Sequence, residues 1–215
     1  MSTRVLGVLN GRDMPIEHVL KWAVSAETVY AADGAARPLV ESCMAPVLVG
    51  DMDSWKGGVP RGIRVIGHPE DQDSTDCDKL LQAALDDGVK NLTLTGIEGD
   101  RMDHVLSSLH SCVKSPLNIR IILRRGVGTV VRAGSSHWPT SPGQRLSLLP
   151  LQKSVGVCLS GVEWPLDQAE LESGVMVSIS NVATAEKVSV EMKSGACLLI
   201  RELERGFEPF WEEID

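Results

Sequence analysis

Apolar positions recur along the chain in two rhythms, and the change from one to the other divides it. Up to about residue 132, short apolar and β-branched runs at 4–9, 28–32, 46–49, 63–66, 91–95 and 118–123 have the length and flanking turn residues of strands. Between them, 15–26, 35–43, 75–87 and 103–113 bring apolar side chains round at intervals of three and four, as Leu80, Leu81, Ala84 and Leu85 do. Pro15 suits a first helical turn. Strands alternating with helices predict a mostly parallel α/β sheet.

Beyond that point the rhythm shortens. Residues 134–143 are dense in Gly, Ser and Pro and predict a linker. The runs at 145–149, 155–159, 175–180, 187–192 and 196–201 follow at the spacing of antiparallel strands. The expected organisation is an α/β domain over 1–135 followed by a small all-β sandwich over 136–215.

Composition narrows the function classes. The formal net charge is −8, with 43% hydrophobic residues, so a backbone-neutralising nucleic-acid binder is not expected. No apolar run approaches the roughly 18 residues of a membrane span, and the opening Met1-Ser2-Thr3-Arg4 does not resemble a secretory signal, so a cytoplasmic location is expected. The five cysteines are scattered without a Cys-x-x-Cys pair and read as reduced thiols. The acidic stretch 202–215 reads as a solvated end. Five of the few aromatic residues are Trp, which makes any Trp outside a core conspicuous. Trp22 and Trp211 read as structural, while Trp55 and Trp138 have no evident role.

Charge matters most in where it falls. Asp33 follows the run at 28–32, Asp51 and Asp53 follow 46–49, and Asp71, Asp73, Asp76 and Asp78 follow 63–66. Ligands of open α/β sheets bind outside the carboxyl ends of the strands. Each piece has an ordinary explanation as a turn, a loop or a helix cap, but three clusters after three strands point to one acidic edge. Two carboxylates about 5 Å apart, at an effective dielectric near 20, repel by roughly 3 kcal/mol. Such a cluster calls for a cation, and oxygen-only donors favour Mg²⁺ over zinc.

A fourth segment, from Gly96 to His104, follows the run at 91–95. Its glycines allow backbone amides to approach an anion, Arg101 can clamp a phosphate, and Asp103 and His104 stand at a helix start. Neither a G-x-x-x-x-G-K-[ST] loop nor a G-x-G-x-x-G turn after a strand occurs.

The ordered series Ala32-Asp33-Gly34-Ala35-Ala36, Gly50-Asp51-Met52-Asp53-Ser54, Asp71-Gln72-Asp73-Ser74-Thr75-Asp76 and the segment with Arg101, Asp103 and His104 resembles the thiamine pyrophosphokinase family. It continues with Gly161-Val162-Glu163-Trp164-Pro165 and Ser178-Ile179-Ser180-Asn181, and Leu9-Asn10-Gly11 is similar to the family's first strand end. The resemblance implies an α/β catalytic domain followed by a β-sandwich, a homodimer with thiamine bound between subunits, and transfer of a pyrophosphoryl group from ATP to the thiamine hydroxyl. Asp51, Asp53 and Asp76 then look like Mg²⁺ ligands, with Asp33 beside them. Asp33, Gly34, Asp51, Ser74, Thr75, Arg101, Asp103 and His104 fall where the family meets ATP. Gln72, Asp73, Trp164, Ser180 and Asn181 match the thiamine pocket, with Asp73, or alternatively Asp103, orienting the hydroxyl. Two departures stand out: Gln72 where many bacterial members have Lys, and Asp100 where a glycine is usual.

Thiamine is a cation with a flat ring, which suits Trp164 in its turn between Gly161 and Pro165. Two rival readings share the acidic edge. One is another Mg²⁺-dependent nucleotide-using transferase, such as a pterin pyrophosphokinase or an Asp-x-Asp glycosyltransferase, which leaves Trp164, Ser180 and Asn181 unexplained. The other is a non-catalytic thiamine or nucleotide binder, which turnover would separate.

Overall fold

The strand and helix rhythms of the first part materialise in the computed structural model, which describes residues 4–11, 14–52, 55, 58–67, 73–99, 101–203 and 208–211. The chain divides into two units, one of Met1–Arg124 with Phe207–Ile214 and one of Arg125–Gly206.

The first unit runs β1 (Val5–Val8), α1 (Ile16–Ser25), β2 (Thr28–Ala32), α2 (Asp33–Glu41), β3 (Val47–Gly50), β4 (Val65–Gly67), α3 (Asp76–Asp86), β5 (Asn91–Thr95), α4 (Met102–Lys114) and β6 (Asn118–Leu123). The strands pair in the order β4-β3-β2-β1-β5-β6, every pair parallel, as alternation with helices predicts. The central strands are buried throughout, with Leu6, Leu92, Leu94, Ile119 and Ile121 fully inaccessible. Helix α3 turns Cys77, Leu80, Leu81 and Ala84 inward and starts on a capping box. Thr75 Oγ1 accepts from Asp78 N–H at 3.1 Å, and Asp78 Oδ2 accepts from Thr75 N–H at 3.1 Å. Helix α2 begins two residues earlier than expected, so β2 passes into it with no loop and delivers Asp33 at the strand's end.

The acidic stretch after 202 is not simply a solvated end. Phe210 and Trp211 sit against Trp22 of α1, with ring centroids 5.5 and 5.2 Å away, both edge-on. Trp211 Nε1 donates to Ser25 Oγ at 3.2 Å, Glu208 pairs with Lys21, and the Arg120 guanidinium lies 5.6 Å from the Phe210 ring centroid. Trp22 is 1% exposed. The sequence reading of Trp211 as structural holds, while the packing of Phe210 and Trp211 on Trp22 does not show in the pattern.

The second unit is all antiparallel: β7 (Gly126–Pro139), β8 (Arg145–Pro150), β9 (Ser154–Ser160), β10 (Leu166–Leu171), β11 (Ser178–Val182) and β12 (Lys187–Arg201). Strand β12 pairs with β7 along its whole length, while β9 takes its first half and β8 its second. A register shift between Met192 and Ala196 bends β12 from one layer to the other. Gly195 lies in that bend at φ +101°, where a Cβ would stand 2.4 Å from Lys153 O. Trp138, Leu148, Val157, Leu159, Leu171, Val190 and Leu199 fill the single core of this sandwich.

The segment 134–143 is therefore not a linker, because β7 continues through it to Pro139 in register with Lys187–Met192. Two expected strands, 187–192 and 196–201, are one. Trp138, without a role in the sequence, is a core residue. The described cysteines form no disulfide, and no helix among the described residues is long and apolar enough to cross a membrane.

Candidate functional site

From β1 the chain winds outward through β2, β3 and β4, then returns to β5 on the opposite side of β1. A crevice opens outside the carboxyl ends of the strands where the order reverses in this way. Here it is a cavity of about 580 Å³, walled by Asn10 and Gly11 after β1, Gly96 and Ile97 after β5, Asp51 after β3, and the first turns of α3 and α4. Two glycines let the central strand ends approach. Gly11 N–H donates to Gly96 O at 2.9 Å, and a Cβ on Gly11 would lie 2.1 Å from Glu98 O. Gly96 has φ +77°, and its Cβ would lie 2.1 Å from Leu9 O. No larger residue fits either position.

Carboxylates at the start of α2, after β3 and at the start of α3 act on one another at this edge. Asp33 is 5% exposed; its Oδ1 accepts from Gly34 N–H at 2.6 Å, while the buried Oδ2 has no partner among the described residues. Gly50, at the end of β3, faces it so closely that a Cβ would sit 3.0 Å from Asp33 Cγ. Asp51 follows and lines the cavity, as does Asp76, the first residue of α3. The Asp76 carboxyl is held above the ordinary aspartate range, first by desolvation and then by the Asp33 charge, with Asp51 adding to it and Lys79 and His104 opposing it. Asp76 thus feels Asp33, Asp51, Lys79 and His104 together. Among the described residues no three His, Cys, Asp or Glu side chains stand close enough together to hold a metal ion. Asp53, Gln72 and Asp100 lie outside the described residues.

Of the other expected nucleotide contacts, Ser74, Thr75, Arg101 and His104 line the cavity, whereas Gly34, Asp73 and Asp103 do not. The Thr75 hydroxyl is committed to the α3 cap. Arg101 and Asp103 form a two-point pair on the exposed lip of α4, with Nη2 to Oδ2 at 2.6 Å and Nε to Oδ1 at 3.2 Å. This contact brings the Asp103 carboxyl down to about 2. Such a carboxylate is a poor proton acceptor and a good anchor for the guanidinium.

In the second unit, Trp164 is 57% exposed in the turn before β10. Asn181, 1% exposed, holds that turn from both sides: Oδ1 accepts from Trp164 N–H at 3.1 Å and Nδ2 donates to Trp164 O at 2.7 Å. Ser180 adopts φ +53°, a costly conformation for a residue with a Cβ, and its N–H donates to Ser147 Oγ at 3.1 Å. The indole is thus displayed on a tied-down turn.

Comparison with known families carries the assignment further. The thiamin pyrophosphokinase catalytic-domain model matches residues 19–123, and the family's vitamin B1 binding-domain model matches residues 137–197. The chain belongs to the thiamin pyrophosphokinase family. It is 30% identical to thiamine pyrophosphokinase 1 of Arabidopsis thaliana over 166 residues, a match spanning 69% of this chain and 62% of the relative. The thiamine pyrophosphokinase of Bacillus subtilis is 26% identical over 195 residues, 86% of this chain and 88% of the relative. In fold, the chain is similar to the crystal structure of thiamine pyrophosphokinase from Bacillus subtilis, with a TM-score of 0.76 at 20% identity, covering 94% of this chain and 100% of the other.

Within this thiamin pyrophosphokinase fold, sequence reasoning overlooked Lys79. It lines the cavity and is only 5% exposed. Its signal was available: a lysine one turn after Asp76, interrupting the buried face that Cys77, Leu80 and Leu81 otherwise keep apolar.

Proposed function

We propose that the chain is an ATP-dependent thiamine pyrophosphokinase: the thiamine hydroxyl oxygen bonds to the β-phosphorus of ATP, the bond from that phosphorus to the α–β bridging oxygen breaks, and AMP leaves. The observation that carries this reading is that Asp51 and Asp76 line a cavity together with Arg101, with the Asp33 charge close enough to act on Asp76. Positioning and charge stabilisation supply most of the catalysis in reactions of this class. Arg101, steadied by Asp103, meets the phosphates, while Ser74 and His104 border them. Asp73, exposed at the approach to α3, orients the thiamine hydroxyl, and its proton passes to that carboxylate or to water.

The donor set suits a magnesium ion: the orphaned, buried Oδ2 of Asp33 and the crowding felt by Asp76 are both relieved by a hard cation. Asp33, Asp51, Asp53 and Asp76 would hold Mg²⁺, which when bound offsets phosphate charge and polarises the phosphorus–oxygen bonds. The first unit takes the nucleotide, and Trp164, Ser180, Asn181 and Gln72 take thiamine, the indole stacking on its ring. The reading includes a homodimer with thiamine between subunits, and the exposed apolar residues Val175, Met176, Val177 and Ile179 in the same unit as Trp164 support it. It also includes a cytoplasmic location, which the absence of paired cysteine spacing suits.

The test is product analysis with ATP, Mg²⁺ and thiamine. AMP and thiamine diphosphate should appear in equal amounts, and Asp76→Asn should lower kcat/KM by about 100-fold or more with the unfolding midpoint unchanged or raised. ADP with thiamine monophosphate, or no thiamine-dependent turnover, would overturn the assignment.

A further inference from the structure

The chain that leaves β3 runs against the start of α2. Gly50 stands where a Cβ would meet Asp33 Cγ at 3.0 Å, Asp51 follows in the cavity wall, and Met52 then takes φ +68°. That conformation is costly for a residue with a Cβ and persists only where the surroundings hold it. Trp55, which has no evident role in the sequence, supplies two contacts just beyond it. Its N–H donates to Met52 O at 3.0 Å, and the Arg37 guanidinium lies 5.5 Å from the centroid of its half-buried ring. Arg37 stands one turn after Asp33 on the same side of α2. The pair therefore ties the segment that presents Asp51 to the helix that presents Asp33, and both of those carboxylates act on Asp76. Neither Arg37 nor Trp55 lines the cavity itself.

We propose that Arg37 and Trp55 are positioning residues: their cation–π contact sets where Asp51 stands relative to Asp33, and so how firmly the acidic edge holds a divalent cation. The proposal rests on the magnesium site assigned above, but its test does not require turnover. Mn²⁺ is titrated into the full chain and the free ion is counted by electron paramagnetic resonance. Trp55→Leu should weaken Mn²⁺ about tenfold, as loss of outer-shell support does at metal sites. Trp55→Phe, which keeps a ring for the guanidinium, should recover most of the loss. Arg37→Met separates geometry from charge by its sign. Removing a positive charge beside carboxylates tightens a cation if charge alone matters, whereas losing the positioning contact weakens it. Weakening equal to that of Trp55→Leu is expected, with no further loss in the double variant, because the two residues act as one unit. The unfolding midpoint should stay within about 4 °C of wild type, the worth of one cation–π contact near the surface. Mn²⁺ affinity unchanged or raised in either single variant, whatever the midpoint does, overturns the proposal. So do additive losses in the double variant, no recovery in Trp55→Phe, or no Mn²⁺ binding by wild type. If wild type binds Mn²⁺ in this pair-dependent way yet forms no AMP with thiamine, the activity fails and the positioning role stands.

Discussion

On the proposed reading, Trp164 and Asn181 divide one task between a contact residue and a holder. The indole is mostly exposed and contributes little to the fold, whereas the Asn181 amide is buried and satisfies two backbone groups of the turn. Trp164→Ala is therefore expected to raise the thiamine KM about tenfold, the worth of one stacking or cation–π contact, with ATP KM and unfolding midpoint unchanged. Asn181→Ala should raise the same KM and also destabilise the sandwich by about 1–3 kcal/mol, since the turn's N–H and C=O lose their partner. Steady-state kinetics beside thermal denaturation separates the two. Arg101 and Asp103 divide labour similarly. Asp103, lowered to about 2 by the guanidinium, is ionised wherever pH exceeds the ordinary carboxylate range, and its contribution to the pair is lost only as pH falls toward 2. Any limb of the pH–activity profile above about pH 4 comes from another group. The residue types at these sites were legible in the sequence, because their motifs recur in order. Their roles were not, since neither the Asn181 brace nor the Arg101–Asp103 pair follows from spacing alone.

At the scale of elements, the parallel sheet was readable because each strand ends in a turn-forming or acidic residue and each helix keeps its three-four repeat. Strand β7 was not. Gly134, Ser135, Ser136 and Pro139 carry a turn composition, but β12 pairs with them residue for residue, and that long-range pairing overrides local preference. Strand β10 escaped for a related reason: Leu166–Leu171 is half polar, with Asp167, Gln168 and Glu170 exposed, and gains its order from β9. The segment 208–211 teaches the same lesson by packing rather than pairing. Replacing Phe210 and Trp211 by Ala should cost the first unit roughly 2 kcal/mol, given their partial burial, and shift its unfolding midpoint down by about 4–8 °C. Trp22 fluorescence should move to the red as water reaches it. An unchanged midpoint would show that α1 needs no cover.

Over the whole molecule, the net charge of −8 has two separate meanings. Part of it is solvated surface, and part is the edge at Asp33, Asp51 and Asp76, where desolvation and mutual repulsion raise the Asp76 carboxyl. The apolar strip at 175–179 is the opposite case, exposed hydrophobic surface in a chain with few aromatics to spare. If a second copy covers it, Ile179→Asp should convert a dimer to a monomer in sedimentation, with the single-chain fold retained by circular dichroism; a monomeric wild type would refute the dimer. The cover over Trp22 reaches furthest. Residues 208–211 belong to the first unit yet are synthesised after the whole of the second, so the nascent first unit leaves the ribosome with an indole bare and waits for the sandwich to be made before it is sealed. A message read short at any point in the second unit therefore yields a first unit with an open apolar face, a mark that protein quality control can read.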